Sequence, residues 1–324
     1  MSRRWFLAAA ALAMQLGGCA RAPGPVLDLG SRRELFVDRY LVATLSGTRL
    51  KLHEPRPAGV ALRFDRPWEG PLSGYCSVIR DGSIYRLYYR GDPGEVKGYS
   101  GGMRTGSLTD VTCYAESPDG IHWVKPNLGL YEVMGSRENN VVLASDPPYS
   151  SNFSAFLDTN PAVGPGERFK AVAGMGDNMT SFHKDGLPKS KSGLFGFVSP
   201  DGIHWRKVQE TRIFTDGSRV FDSQNVAFWS ESEKSYVLYY RQHFDTKART
   251  VVRKDVVYLP HHAKTVARAT SADFIHWSEP ELMDFGAHPP TDLENLYTSQ
   301  THPYFRAPHL YIALAARWMR GRGW

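Results

Sequence analysis

Apolar and aromatic residues along this chain come in short runs bounded by turn formers. Gly74 to Arg80 is the first clear run, followed at once by Asp81-Gly82, a dipeptide suited to a two-residue hairpin turn. Ile84 to Arg90 forms a second run and Val111 to Ser117 a third. Pro118-Asp119-Gly120 then makes a turn, from which Ile121 to Lys125 begins a fourth. Runs of this length, rich in Tyr, Val and Ile, predict strands. Sustained helical periodicity occurs nowhere beyond the first residues.

The pattern repeats. Glu116-Ser-Pro-Asp119-Gly120-Ile121-His122-Trp123 returns as Val198-Ser-Pro-Asp201-Gly202-Ile203-His204-Trp205, and again as Thr270-Ser-Ala-Asp273-Phe274-Ile275-His276-Trp277. The tryptophans are spaced by 82 and 72 residues. Each copy is preceded by an apolar run: Tyr85-Arg-Leu-Tyr-Tyr-Arg90, Phe169-Lys-Ala-Val-Ala173 and Tyr236-Val-Leu-Tyr-Tyr-Arg241. A fourth run, Leu310-Tyr-Ile-Ala-Leu-Ala315, has no such turn after it. Four antiparallel strands in each unit of ~70–80 residues is the content of a β-propeller blade with generous loops. The expected fold is therefore all-β and radial, with about three and a half blades visible. A closed ring leaves no open edge. Either Ser31 to Pro71, where Leu35–Leu41 and Thr48–Leu52 read as strands, supplies the missing pieces, or the chain is a C-terminally truncated fragment. Truncation is the preferred reading. His122, His204 and His276 sit at equivalent places in different blades, too far apart to share a metal. Their Asp, Gly and Trp neighbours read as turn and packing residues.

Composition adds the compartment and removes several functions. The 324 residues are 42% apolar and 12% aromatic, enough for a large core, with 30 Gly and 21 Pro for turns. The net charge of +6 is not gathered into any basic block, which argues against nucleic acid as a partner. Residues 1–19 read as an export signal: Arg3 and Arg4 precede an apolar stretch of 12 residues, Trp5 to Leu16, too short to span a bilayer. Leu16-Gly17-Gly18-Cys19 resembles a bacterial lipoprotein cleavage box, with Cys19 as the lipidated residue. Ser2 to Leu7 resembles the twin-arginine export motif, leaving that route and the general secretory one both open. The chain then divides into this signal, a linker over 20–33 and a propeller over 34–324. It would be an exported monomer, in the cell envelope or beyond it, touching membrane only through the lipid. Cys76 and Cys113 fall on the first and third strands of one sheet. An intervening strand separates them by about 9–10 Å, so free thiols are expected.

The Ser-x-Asp-Gly-x-x-Trp turns at Asp119 and Asp201, with the Phe variant at the third, and the Tyr-x-x-Tyr-Tyr-Arg strands resemble the five-bladed propellers of glycoside hydrolase families 32 and 43. The resemblance covers roughly residues 65 to 320. Glu34-Leu-Phe-Val-Asp-Arg-Tyr40 and Tyr297-Thr-Ser-Gln-Thr-His-Pro-Tyr304 resemble an uncharacterised bacterial branch beside family 32. The chain lacks the Trp-x-Asn-Asp-Pro-Asn-Gly, Arg-Asp-Pro and Glu-Cys segments of the enzymes.

The resemblance implies hydrolysis of glycans by paired carboxylates, roughly 5–10 Å apart. In a propeller, ligands meet the face where the innermost strands start. Acids near those starts are Glu69, Asp222 and Glu294, expected to share the catalytic roles; Asp146 and the weaker Asp158 are the second blade's candidates. Arg90 and Arg241 end the second strands of their blades, with Arg317 in a similar place. Trp68, Tyr75 and Tyr297 offer surfaces on which a sugar could stack, so Trp68, Arg90, Arg241 and Tyr297 are the expected substrate contacts. The long segments Gly91–Thr112, Met175–Leu194 and Gln242–Val266 lie on the same face. No cofactor and no metal site is expected, and no serine-hydrolase, Walker or dinucleotide motif occurs. An oligo- or polysaccharide is the expected partner. Two rival readings are a non-catalytic carbohydrate-binding propeller and a structural scaffold.

Overall fold

The computed structural model describes residues 27–70, 73–93, 110–144, 149–150, 152–175, 193–216, 221, 223–251, 261–286, 291 and 294–319. The chain forms two compact units, Met1–Arg56 and Pro57–Trp324. The described part of the first, residues 27–56, carries turns and bends and no strand. The strands expected at Leu35–Leu41 and Thr48–Leu52 are therefore not formed. Phe36, Val37, Tyr40 and Leu52 are exposed, so these short runs have no apolar partner face against which a ladder could settle.

The second unit is built of antiparallel sheets. The first contains β1 (Gly74–Asp81), β2 (Ile84–Gly91), β3 (Val111–Ser117) and β4 (Val141–Leu143), in that order. The second contains β5 (Ser154–Leu157), β6 (Phe169–Met175), β7 (Gly193–Ser199) and β8 (Arg206–Lys207), again in chain order. The third contains β9 (Val226–Ser230), β10 (Ser235–Asp245), β12 (His262–Ser271) and β13 (Glu281–Leu282), with the short β11 (Thr250–Val251) on the extended end of β10. Last come β14 (Glu294–Thr298), β15 (Thr301–Tyr304), β16 (Ala307–Ala313) and β17 (Ala316–Met319). Here β14 pairs with β17 and β15 with β16, so one kinked hairpin occupies the place of two strands. The first strands β1, β5 and β9 lie against one another in succession, which is the radial order of propeller blades.

Middle strands explain why the sequence pattern reads as runs rather than alternation. All seven residues of β6 and all seven of β7 are buried, because each sheet has a neighbour on both faces. Tyr88, Tyr114, Tyr149, Phe153, Phe169 and Phe197 fill the space between the first and second sheets. Phe156, Phe214, Trp229, Tyr236, Tyr240 and Phe274 do so from the second to the third.

The repeated turn is the same object three times. Ser117 Oγ accepts from the Gly120 N–H, and Asp119 Oδ1 accepts from the N–H groups of Ile121 and His122. The His122 ring meets Asp119 Oδ2 at 2.6 Å, and Trp123 Nε1 donates to the Gly120 carbonyl at 3.1 Å. His204 and His276 make the same contact with Asp201 and Asp273, each at 2.7 Å. All three rings are thus committed to their own turns. Gly120 and Gly202 have φ of +77° and +76°; Phe274 holds +70° at the equivalent place, against the preference of a side chain. Its ring is fully buried against Phe156, Tyr236 and Trp277, and this packing offsets the strain.

Two details differ from the sequence reading. The fourth strand of the first sheet is Val141–Leu143, while Val124 makes only one bridge, to Glu116, before the chain leaves the sheet at Pro126. In the third sheet the segment expected as a loop from Gln242 is ladder as far as Asp245, which pairs with His262.

Candidate functional site

The first strands begin at one end of the sheets, and the repeated turns lie at the other. At the starting end, β1 opens with a bulge between Gly74 and Ser77, and Tyr75 stands at φ +53°. A left-handed aromatic residue costs of order 1–3 kcal/mol and persists only where its surroundings enforce it. Here Gln224 supplies the constraint: its Nε2 donates to the carbonyls of Tyr75 and Cys76 and to Ser77 Oγ, at 3.1–3.3 Å. Gln300 donates in turn to Gln224 Oε1. Asn152 Nδ2 reaches the carbonyls of Phe221 and Ser223 at 2.6 and 3.1 Å. Two buried amides therefore tie the starts of four sheets together.

Above this girdle lies a cluster of cations and rings. Gly74 pairs with Arg90, whose guanidinium sits 4.5 Å from the Tyr75 ring centre. Arg241, buried in β10, lies 4.9 Å from the Tyr297 ring. Arg241 and His243 share one face of β10 by the two-residue period, and Lys264 is paired directly across from His243. Lys264 Nζ consequently comes 4.5 Å from the same Tyr297 ring and 4.8 Å from that of Trp318 on β17. Burial, then Tyr297, push the Tyr75 hydroxyl upward against the opposing pull of Arg90 and Arg241. Burial, then Arg241, lower the Lys264 ammonium to about 7. Burial, then Arg241, His262 and Lys264, push the half-buried His243 down to about 2, and its ring lies 4.4 Å from that of His262. Tyr75, Arg90, Arg241 and Tyr297, separate in the sequence, thus form one electrostatic group.

The expected catalytic acids fare differently. Glu69 is fully buried, with its carboxylate accepting from the Arg66 N–H at 2.7 Å, from Lys125 Nζ at 2.8 Å and from the Tyr89 hydroxyl. Its own carbonyl accepts from the Asp92 N–H at 2.8 Å. The approach is so close that a Cβ at Gly70, where φ is +61°, would overlap the Asp92 carbonyl. Trp68 is half-buried and donates from Nε1 to Asn140 Oδ1 at 2.8 Å. Glu69 and Trp68 hold a buried network of their own, with no hydrogen bond to the Tyr75 group among the described residues. Asp158 is committed as well: it is buried at the turn end, accepting from Lys170 and from the Tyr236 hydroxyl at 2.7 Å each. Glu294 opens β14, its backbone paired with Met319, and Arg317 pairs with Leu296 beside it. Asp222, Asp146, Cys19 and the side chain of Glu294 lie outside the described residues. Cys76 and Cys113 are free thiols.

Lys264, Trp318, Gln224 and Asn152 are members that sequence reasoning missed. Lys264 falls in a segment that reads as loop; the alternation His262-Ala-Lys264-Thr-Val266 is the available signal of a continuing strand. Among the described residues no group of three or more His, Cys, Asp or Glu is set to hold a metal ion, and no helix is long and apolar enough to cross a membrane.

No family model matches the chain, and no curated protein does. Among solved structures it is similar to a family 117 glycoside hydrolase from the marine bacterium Zobellia galactanivorans, at 11% identity and a TM-score of 0.47, over 81% of this chain and 67% of that one. A protein described as a glycoside hydrolase gives 12% and 0.41, over 70% and 61%. A fructofuranosidase from Schwanniomyces occidentalis complexed with fructosylnystose gives 13% and 0.40, over 76% and 42%. In the last two the chain spans less than two thirds of the structure it matches. Likenesses this loose decide neither activity nor substrate.

Proposed function

We propose that this protein is a glycoside hydrolase of the five-bladed propeller type, exported and anchored to the cell envelope through Cys19, acting on extracellular or periplasmic glycans. The observation that carries the reading is the convergence of Tyr75, Arg90, Arg241 and Tyr297 from three different sheets on the end where the first strands start. Rings with polar edges, beside guanidinium groups and on a rigid support, suit a sugar: the ring stacks and the hydroxyls find donors. In this reading Asp222 and Glu294, near the starts of β9 and β14, act as acid and as nucleophile or base. Glu69 holds the Trp68–Gly70 segment against β2 through Lys125 and Tyr89.

Hydrolysis of a panel of oligosaccharides by the purified mature chain tests this. Asp222→Asn and Glu294→Gln are each expected to lower kcat by about 10²–10⁴ without loss of folding, as removal of an acid–base group does. Full activity in both variants would overturn the catalytic assignment. A second reading, a carbohydrate-binding propeller without hydrolysis, is favoured by one observation: the best-described of the three acids, Glu69, is saturated by partners. Retained glycan binding with no turnover by the unaltered chain would select it. For the anchor, loss of palmitate labelling in Cys19→Ala is expected.

A further inference from the structure

Two left-handed residues other than glycine stand at the starting end, and one side chain joins them. Tyr75, in the bulge of β1, has φ +53°, and Gln300, between β14 and β15, has φ +45°. Gln224, buried just before β9, touches both. Its Nε2 donates to the Tyr75 and Cys76 carbonyls and to Ser77 Oγ, and its Oε1 accepts from Gln300 Nε2. The sense of the amide is forced: two carbonyl oxygens can only accept, so the nitrogen must face them and the oxygen is left for Gln300. Ser77 Oγ lies 3.3 Å from Ser154 Oγ, so the hydrogen bonds run from Gln300 through the third and first sheets to the second.

A blade does not need the strain at Tyr75. Among the described residues the starts of β5 and β9 carry no left-handed residue, and two of the repeated turns meet a positive φ with glycine. Glycine at position 75 would turn the chain at no conformational cost. A tyrosine held there against its preference is strain that its surroundings must enforce, and such strain gathers at working sites. What tyrosine adds over glycine is a ring, which lies 4.5 Å from the Arg90 guanidinium and faces the charges of Arg241 and Tyr297. We propose that Gln224 is a positioning residue: oriented by Gln300, it holds the Tyr75 backbone left-handed and so sets the Tyr75 ring as a stacking surface for the sugar. The inference rests on the carbohydrate reading above. Both ends of the Gln224 amide are taken by partners, so its effect on the sugar passes through Tyr75. A ring set before the sugar arrives removes an ordering cost from binding.

The test is calorimetric titration of the full chain with a panel of oligosaccharides, the tightest-bound member serving for the variants. Gln224→Met is expected to weaken binding by about tenfold, and Tyr75→Gly by at least as much. Glycine leaves no ring to hold, so adding Gln224→Met to Tyr75→Gly should weaken binding by less than about threefold more. A scaffold role for Gln224 would persist in the glycine background, and the two losses would then add. Additive losses, or full affinity in either single variant, overturn the inference and leave the carbohydrate reading standing. Binding of no oligosaccharide by the unaltered chain overturns both. Should Gln224→Met fail to fold, Gln300→Asn decides: asparagine accepts a left-handed backbone but is one methylene shorter, so it no longer reaches Gln224. A weakening of about threefold or more that disappears in the Tyr75→Gly background supports the inference. Unchanged affinity, or a loss that persists in that background, overturns it.

Discussion

The two ends of the sheets treat equivalent positions in opposite ways. At the turn end Asp119, Asp201 and Asp273 make matching contacts within about four residues, and each histidine ring is held by its own aspartate. At the starting end the equivalent places hold a strained Tyr75, the pinning amide Gln224 and, on β14, Tyr297, and their contacts run between sheets. Repetition marks what every blade needs in order to fold. Divergence on the same frame marks contacts made once in the molecule, between sheets, and there the chain tolerates backbone strain and crowded charge.

That contrast is broken most severely by disturbing the turn end where it is buried. Asp158, Lys170 and the Tyr236 hydroxyl form a closed ionic group joining the second sheet to the third. Lys170→Ala would leave a buried carboxylate without its counter-ion, an expected loss of about 3–5 kcal/mol in urea unfolding. Asp158→Asn, Lys170→Met together should lose much less than the sum of the two single changes. Additive losses would mean that the pair is not coupled.

Phe274→Gly comes next. Restoring the glycine of the other two turns relieves about 1 kcal/mol of left-handed strain, yet it removes a ring buried against Phe156, Tyr236 and Trp277. Loss of such a ring costs about 3–5 kcal/mol, so the net expectation is a destabilisation of about 2–4 kcal/mol by denaturant melt. An unchanged stability would show that the third turn carries no packing role of its own.

Asp201→Asn probes the repeated motif itself. Burial raises the Asp201 carboxyl, but His204 and the N–H groups of Ile203 and His204 outweigh it and hold the group well below the usual range. A group depressed in the folded state contributes stability above its unfolded value near 4, and that contribution fades as pH falls through the folded value. The variant should lose about 1 kcal/mol at pH 7, as a lost cap does, with the gap to the unaltered chain narrowing below pH 4. A gap independent of pH would remove the charge from the explanation.

What was legible in the sequence follows the range of the interactions. The Ser-x-Asp turns were readable because their contacts close within four residues, and the middle strands because both faces are buried. Glu69 was not, since its partners Tyr89 and Lys125 stand 20 and 56 positions further along the chain. A carboxylate near a strand start reads the same whether it faces solvent or a lysine. Arg90, Arg241 and Tyr297 were legible as a set because matching positions on successive blades must approach one axis. Lys264 was hidden because the β10–β12 ladder runs beyond the sheet that the repeat defines, and no turn residue announces where it stops.

The smallest effect concerns Lys264, and it has the opposite sign to the others. Burial and Arg241 lower its proton affinity from the usual 10.5 to about 7. A lysine depressed in the folded state binds its proton more weakly there than in the unfolded chain, so the penalty is fully present below pH 7. It diminishes as pH rises from 7 toward 10.5, where the unfolded chain also loses the proton. Lys264→Met keeps the cover over Tyr297 and Trp318 and removes the charge. It should therefore stabilise the protein at pH 6–7, by about 1 kcal/mol once solvent access at a half-buried site is allowed for, with the gain vanishing by pH 10. Melting temperatures of the two proteins across that range check the expectation. A gain at neutral pH accompanied by weaker glycan binding would show stability exchanged for recognition at the starting end, where the turn-end substitutions lose stability alone. A destabilised variant would instead make Lys264 part of the scaffold, and the contrast between the two ends would no longer hold at this position.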